Sequence, residues 1–358
     1  MLGGMRQSPI TPLHIRYGAR MSNEDGWSMP RLFRSLPEEH RAARTGAGVF
    51  DISHLGKFSV TGPGALQWLE GLLSNSVTHC RDNMGQRTLL LQENGGIIDK
   101  LLLFRESAGR FFLLGHAVAA AEVYARLCAY RPDGPITVRD ETSLHSGIGL
   151  YGPESEELFA QVLPGVELPP PMGFRRLNYR GAELLLVRAS MVDETGLELF
   201  CPAAAGIAWY DAFLSAGAAP CGMALRECIR LEHGAAAAGR DIGPDKTPIQ
   251  SAMDRFCDLS KDFIGAESLR RQSMAGTLRR MAAVSCEYES AAPHEGDRLI
   301  DDVGATVGTI TSGCLLPHAH RGVGLAYISR YMAHPGTRLR IIIGGQAIPA
   351  IVTDTPVI

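Results

Sequence analysis

The run Gly95-Gly96-Ile97-Ile98-Asp99-Lys100 sets an acid beside a base between two apolar stretches, Thr88–Leu91 and Leu101–Phe104. Strand interiors ordinarily carry Val, Ile or Phe, so a charged pair in such a segment needs a reason. An acid held at a cleft is a candidate for functional chemistry. The paired glycines read as a tight turn between two strands. Asp99 and Lys100 follow that turn and point to opposite faces, so one of them faces inward or toward a cleft. The alternative is an edge strand with both charges in water.

Other chemistries find little support. The eight cysteines are scattered, with no C-x-x-C and no Cys/His cluster at zinc spacing, so no metal site is expected. Buried free thiols are the expected state, which fits a reducing cytoplasm. No P-loop occurs, nor a G-x-G-x-x-G after a strand. A net charge of −3 over 358 residues gives no reason to expect nucleic acid or an anionic membrane as partner. No apolar run approaches the roughly 20 residues of a membrane helix, and the opening M-L-G-G-M-R-Q-S-P lacks the apolar core of a signal peptide. With 45% hydrophobic and 20% charged residues, the composition is that of a globular protein of two or three domains.

The elements that must hold these residues read as an α+β unit followed by an all-β module. Ser35–Ala47 opens with a capping Ser and a Pro, carries early acids and later Arg, and reaches Gly46: a helix. Residues 57–62 alternate as a strand, and Pro63–Leu73 reads as a helix. A hairpin is expected around Asn94-Gly95-Gly96, a strand over 110–115 and an Ala-rich helix over Ala117–Tyr130. Further strands are expected at 136–139, 146–151 and 182–188, further helices at 153–163 and 203–216. The proline-rich Leu163–Met172 must be a loop. After Ser273, short strands alternate with turns at Gly296-Asp297, Val303-Gly304, Ser312-Gly313, Pro335-Gly336 and Gly344-Gly345.

With the elements placed, a set of motifs resembles the T-protein (aminomethyltransferase) family of the glycine cleavage system. They are T-P-L-H from Thr11, G-A-R-M from Gly18, G-W-S-M-P from Gly26, and the long E-E-H-R-A-A-R-T-G-A-G-V-F-D-I-S-H-L-G from Glu38 to Gly56. G-G-I-I-D ends at Asp99, L-R-E-C-I-R-L-E runs from Leu225 to Glu232, and K-D-F-I-G from Lys261, T-S-G-C from Thr311 and A-Y-I from Ala326 complete the set. Their number and order carry the resemblance over roughly residues 11–356. It implies two interwoven lobes of antiparallel sheet and helix forming a folate-binding unit (1–50 with 142–273, and 51–141). A C-terminal β-barrel domain (274–358) would close a three-lobed ring.

The resemblance also implies the reaction. A lipoyl arm on a carrier H-protein brings an aminomethyl group, the carbon passes to tetrahydrofolate, and ammonia and the reduced thiol leave. Asp99 matches the family's functional acid, placed to stabilise a cationic carbon and orient the attacking nitrogen, with Lys100 sent to the other face. Glu194, in S-M-V-D-E-T-G-L-E from Ser190 to Glu198, is assigned to the paired donor edge of the pterin, against the reading of a turn acid before Gly. Arg226 matches a folate-contacting Arg, while Arg230 is read as the partner of Glu227 or Glu232. The chain departs from the family's pattern at several positions: among them Arg87 and Met191 stand where Tyr is usual, His116 where Asn is usual and Lys100 where a second Asp is usual, and the 233–242 segment carries less bulk. These changes point to an altered acceptor pocket or substrate. The competing readings are a folate-dependent O- or S-demethylase, a non-catalytic folate binder, and an accessory protein of iron–sulfur assembly, whose K-G-C-Y-x-G-Q-E motif is absent here. The expected protein is cytoplasmic, a monomer or weak dimer.

Overall fold

Local chemistry fixes the first long helix. Ser35 caps Leu36–Thr45, Pro37 occupies the first turn, and Glu38 reaches back to accept the Ser35 N–H at 3.0 Å, a complete capping box. This is the helix expected over 35–47, trimmed to its capped core. The computed structural model describes residues 4–289 and 291–354. Pro356, in the last stretch of the expected family match, and the first three residues of the opening lie outside them.

The chain folds as two compact units. One comprises residues 1–66, 80–86 and 101–226, the other 67–79, 87–100 and 227–358. The first is organised on a six-stranded sheet. Its order is Phe174–Tyr179, Ala182–Val187, Gly196–Pro202, His145–Tyr151, Gly48–Asp51 and Ala219–Cys221. All neighbours run antiparallel except the last pair, which is parallel. The register sets Glu198 opposite Gly149 and Gly149 opposite Phe50. Side chains alternate between faces. Val49, Ile148, Leu150, Leu197 and Leu199 therefore turn to one side, where they pack with Leu13, Leu158, Phe159, Tyr210 and Phe213. Phe50, Tyr151, Glu198 and Phe200 turn to the other.

A five-stranded sheet is ordered Met84–Leu91, Ile97–Ser107, Arg110–Gly115, Gly56–Thr61 and Thr137–Asp140. The hairpin expected at Asn94-Gly95-Gly96 joins its first two strands. The expected helix over Ala117–Tyr130 begins as a 3-10 turn, Ala117–Ala119, and continues as Ala120–Ala129.

In the second unit, residues 279–353 close a six-stranded barrel. Its order is Arg279–Glu289, Arg321–Ser329, Thr306–Leu316, Arg298–Ile300, Arg338–Ile343 and Gln346–Thr353. Val284, Ile310, Ala326, Ile328, Ile341 and Val352 fill it. Four of the five expected turns fall between strands. Ser312-Gly313 does not: both residues lie inside Thr306–Leu316, where a register shift between Ile310 and Ser312 marks a bulge. The extra residue of the bulge is Thr311, whereas Ser312 and Gly313 pair in register, and Gly313 is glycine because a Cβ there would lie 2.3 Å from the Pro293 carbonyl oxygen.

Candidate functional site

In the second unit, the segment carrying Asp99 is fixed by its hairpin and by a neighbouring loop. The Gln92 N–H donates to the Gly96 carbonyl at 2.8 Å, and the Ile97 N–H to the Lys246 carbonyl at 2.9 Å. A Cβ on Gly96 would lie 2.1 Å from the Pro244 carbonyl oxygen, so only glycine fits. Asp99 is fully buried, and its Oδ1 accepts the Lys100 N–H at 2.8 Å. The solvated edge-strand alternative is thereby overturned. Lys100 is buried as well, at 3% exposure, because Ile97–Ser107 is an interior strand covered on both faces. Alternation sends Lys100 to the opposite face, but that face is not water. Arg87 sits half-buried on strand Met84–Leu91, and its carbonyl accepts Asn75 Nδ2 at 2.9 Å.

In the same unit, Arg230 is fully engaged. It donates to Glu227 at 2.7 Å, Asp241 at 2.9 Å, the Ala235 carbonyl at 3.0 Å and Ser312 Oγ at 2.8 Å. It is a structural cation, as its neighbours suggest.

In the first unit, Arg226 presents the opposite case. It lies in the first turn of Met223–Glu232, 8% exposed. The start of that helix is anchored by Glu39, which accepts the Gly222 N–H at 2.9 Å and the Arg34 N–H at 3.0 Å. Among the described residues the Nε and Nη2 of Arg226 are buried without a hydrogen-bond partner. Buried guanidinium donors are seldom left so.

Arg226 acts electrostatically on three neighbours, Glu198, Tyr151 and His54. Glu198 is fully buried in its strand. Its Oε1 accepts the Tyr151 hydroxyl at 2.7 Å, and its Oε2 is buried with no hydrogen-bond partner among the described residues. Burial raises its pKa to about 7, against the pull of the Tyr151 bond and the Arg226 charge. Tyr151 is held protonated by burial and by the Glu198 charge. His54 is 3% exposed with its Nδ1 unpartnered, and burial together with Arg226 lowers its pKa to about 3, leaving it neutral.

His54 is presented by the D-I-S-H-L-G loop, which is clamped at both ends. Asp51 accepts His14 Nε2 at 2.8 Å and the Ser53 N–H at 2.9 Å. The buried Lys57 ammonium donates to the Ser53 and Leu55 carbonyls, each at 2.8 Å.

The remaining sequence candidates of this unit are placed as follows. Glu194 Oε2 accepts Arg44 Nη1 at 2.5 Å, and its Oε1 accepts the Thr195 N–H at 3.0 Å. Its charge reaches the Tyr151 phenol. Met191 is 3% exposed in the same loop. His116 follows strand Arg110–Gly115, half-buried, within electrostatic reach of His54. Glu198, Tyr151 and His54 were not among the sequence candidates. One signal could have found Glu198: an acid between Leu197 and Leu199 in an apolar strand, the same signal that singled out Asp99.

Chemically, the first-unit cluster offers two guanidinium donors, one carboxylate acceptor and a neutral imidazole. All are buried, so any polar group they meet is bound in a low dielectric.

Comparison with known proteins adds the following. The chain matches the GCVT N-terminal domain over residues 10–261 and the glycine cleavage T-protein C-terminal barrel domain over 279–358. It is 31% identical to an aminomethyltransferase of Chlorobium luteolum, with 98% of each chain covered. It is 30% identical to an aminomethyltransferase of Listeria welshimeri, covering 98% of this chain and 97% of the relative. Its fold superposes on the crystal structure of glycine cleavage system aminomethyltransferase T from Bartonella henselae with a TM-score of 0.92, at 27% identity, covering 99% and 98% of the two chains.

Proposed function

The chain belongs to the glycine cleavage T-protein family of aminomethyltransferases, and from that premise we propose that it moves a one-carbon unit from the aminomethylated lipoyl arm of an H-protein to tetrahydrofolate, releasing ammonia. Aminomethyl relatives over nearly the whole chain favour this donor over an O- or S-methyl group.

The observation that carries the folate reading is the set of buried polar atoms left without partners: Arg226 Nε and Nη2, Glu198 Oε2 and His54 Nδ1. A pterin has a paired donor edge and ring acceptors, so it complements a carboxylate beside a guanidinium. In this proposal Glu198 takes the paired donors, and Arg226 donates to an acceptor of the folate. Glu194, engaged by Arg44, holds the 190–195 loop and with it Met191, whose thioether packs on the ring. The pterin edge first assigned to Glu194 thus passes to Glu198. In the first unit His116 takes the folate contact of the Asn usual in the family; Arg87, in the second unit, stands where Tyr is usual.

Tetrahydrofolate, when bound, supplies the nitrogens that take up the carbon. Asp99 supplies negative charge in a buried place, where it is most effective against positive charge developing on that carbon. The remaining work is positioning. The two-lobe division of residues 1–273 belongs to the same proposal. It is supported by the sheets, since 48–51 and 145–221 build one and 56–140 the other. So does cytoplasmic residence, supported by eight free cysteines. No helix of the described residues is long and apolar enough to cross a membrane.

The test is to titrate the protein with tetrahydrofolate by calorimetry and to measure ammonia release from aminomethylated H-protein with and without folate. Folate-dependent release is the expected result. Absence of folate binding at millimolar concentration would overturn the proposal.

A further inference from the structure

Glu198 has one hydrogen-bond partner among the described residues, and a specific arrangement delivers it. Tyr151 lies two residues beyond Gly149, which the register places opposite Glu198. Its phenol leans back along the strand to reach Oε1 at 2.7 Å. Two glycines leave the room. A Cβ on Gly149 would lie 2.7 Å from the phenol oxygen, and one on Gly196 would lie 2.6 Å from the ring's Cδ1. Phe50 closes the other side, with ring centroids 5.1 Å apart. The tyrosine is 1% exposed and fixed in this pose.

We propose that Tyr151 is a positioning residue for ligand recognition: its hydroxyl holds Oε1 of Glu198 and leaves Oε2 as the oxygen that meets the ligand's paired donors. This rests on the reading that Glu198 takes the pterin edge. The groups bearing on Glu198 are Tyr151 on strand His145–Tyr151 and Arg226 on helix Met223–Glu232. Glu194, from the loop preceding the Glu198 strand and paired with Arg44, acts on the Tyr151 phenol. Burial opposes the carboxylate, whereas the Tyr151 bond and the Arg226 charge favour it. Removing the hydroxyl while keeping the ring therefore does two things at once. It frees the carboxylate to rotate, and it moves the ionisation of Glu198 toward higher pH.

The experiment titrates the full-length wild type, Tyr151→Phe and Glu198→Gln with tetrahydrofolate by calorimetry, from acid to mildly alkaline pH. Wild-type affinity should rise with pH through a midpoint of about 7. Tyr151→Phe should bind roughly ten-fold more weakly at neutral pH, with its midpoint higher by roughly one unit, as loss of a charge-assisted hydrogen bond implies. Wild-type affinity and midpoint in Tyr151→Phe would overturn the proposal. So would an equal loss at every pH with the midpoint unmoved, which is what lost packing alone produces. Gly149→Ala is a second route, because it retains the phenol but displaces it; the same upward shift is expected, and an unmoved midpoint counts against the proposal. Glu198→Gln separates the two levels. If it binds like wild type, the pterin-edge reading itself fails. If it loses binding while Tyr151→Phe is unaltered, only the inference about Tyr151 fails.

Discussion

Asp99 and Glu198 are both carboxylates buried in strands, and both stand out as acids in apolar sequence. Asp99→Asn keeps the shape and much of the hydrogen bonding but removes the charge. In the proposed reaction it should lower turnover by at least about ten-fold, each factor of ten being about 1.4 kcal/mol of transition-state stabilisation. Folate affinity, read by calorimetry, should change much less. Glu198→Gln should do the reverse and abolish measurable affinity while the protein still folds. The folded-state pKa of Glu198 is raised to about 7 from 4.5. Its favourable contribution is therefore complete below about pH 4.5 and is lost as pH rises through about 7. The glutamine variant of the ligand-free protein should thus be more stable than wild type above pH 7, by at most about 3 kcal/mol, and the gap should close toward pH 4.5. Urea unfolding at two pH values measures this; a variant less stable than wild type at pH 8 would show that Glu198 is structural. Asp99 was legible in sequence because a glycine pair announced its turn. Glu198 was not, because Glu194, four residues earlier and two before Gly196, drew the role. Only the structure shows Arg44 occupying Glu194 and Oε2 of Glu198 left open.

At the scale of elements, local signals read most securely where backbone chemistry decides. The helix at Leu36–Thr45 has a serine cap, a proline and an acid three residues on, and these are sufficient without tertiary context. The hairpin before Asp99 follows from its glycines. Where two elements cover a strand, local reading fails. Lys100 lies on the face opposite Asp99, and nothing in the sequence says that this face is also buried. The Ser312-Gly313 pair likewise reads as a turn until the barrel register shows it paired within a strand, one residue past a bulge at Thr311. Gly96 gives a test at this scale. An alanine there would put its Cβ 2.1 Å from the Pro244 carbonyl oxygen, which is backbone and cannot swing aside. Gly96→Ala should destabilise the protein by about 1–3 kcal/mol. It should also lower turnover, because the strand that it displaces carries Asp99 three residues later. Thermal unfolding and steady-state kinetics on the same sample check both. Wild-type values in each would mean that the 243–246 segment gives way freely.

At the scale of the whole molecule, the buried polar atoms without partners are a debt of the ligand-free state. Arg226, Glu198 and His54 together leave four such atoms in one unit among the described residues, and a group that satisfies them stabilises the folded chain by an amount that grows with the logarithm of its concentration over its dissociation constant. By mass action, a ligand at one hundred times its dissociation constant stabilises by about 2.7 kcal/mol. In a chain of this length that corresponds to a rise of a few degrees in the unfolding temperature. Because the acceptor is an ionised Glu198, the rise should depend on pH in the same sense as affinity: large at pH 8 and reduced at pH 6, below the carboxylate's midpoint of about 7. Scanning calorimetry with saturating tetrahydrofolate at these two pH values makes the measurement, and Glu198→Gln should show little rise at either. A rise in wild type that is equal at both pH values would mean that the folate is held by groups other than Glu198. A rise that survives in Glu198→Gln but vanishes in Arg226→Ala would move the recognition of the ligand from the carboxylate to the guanidinium.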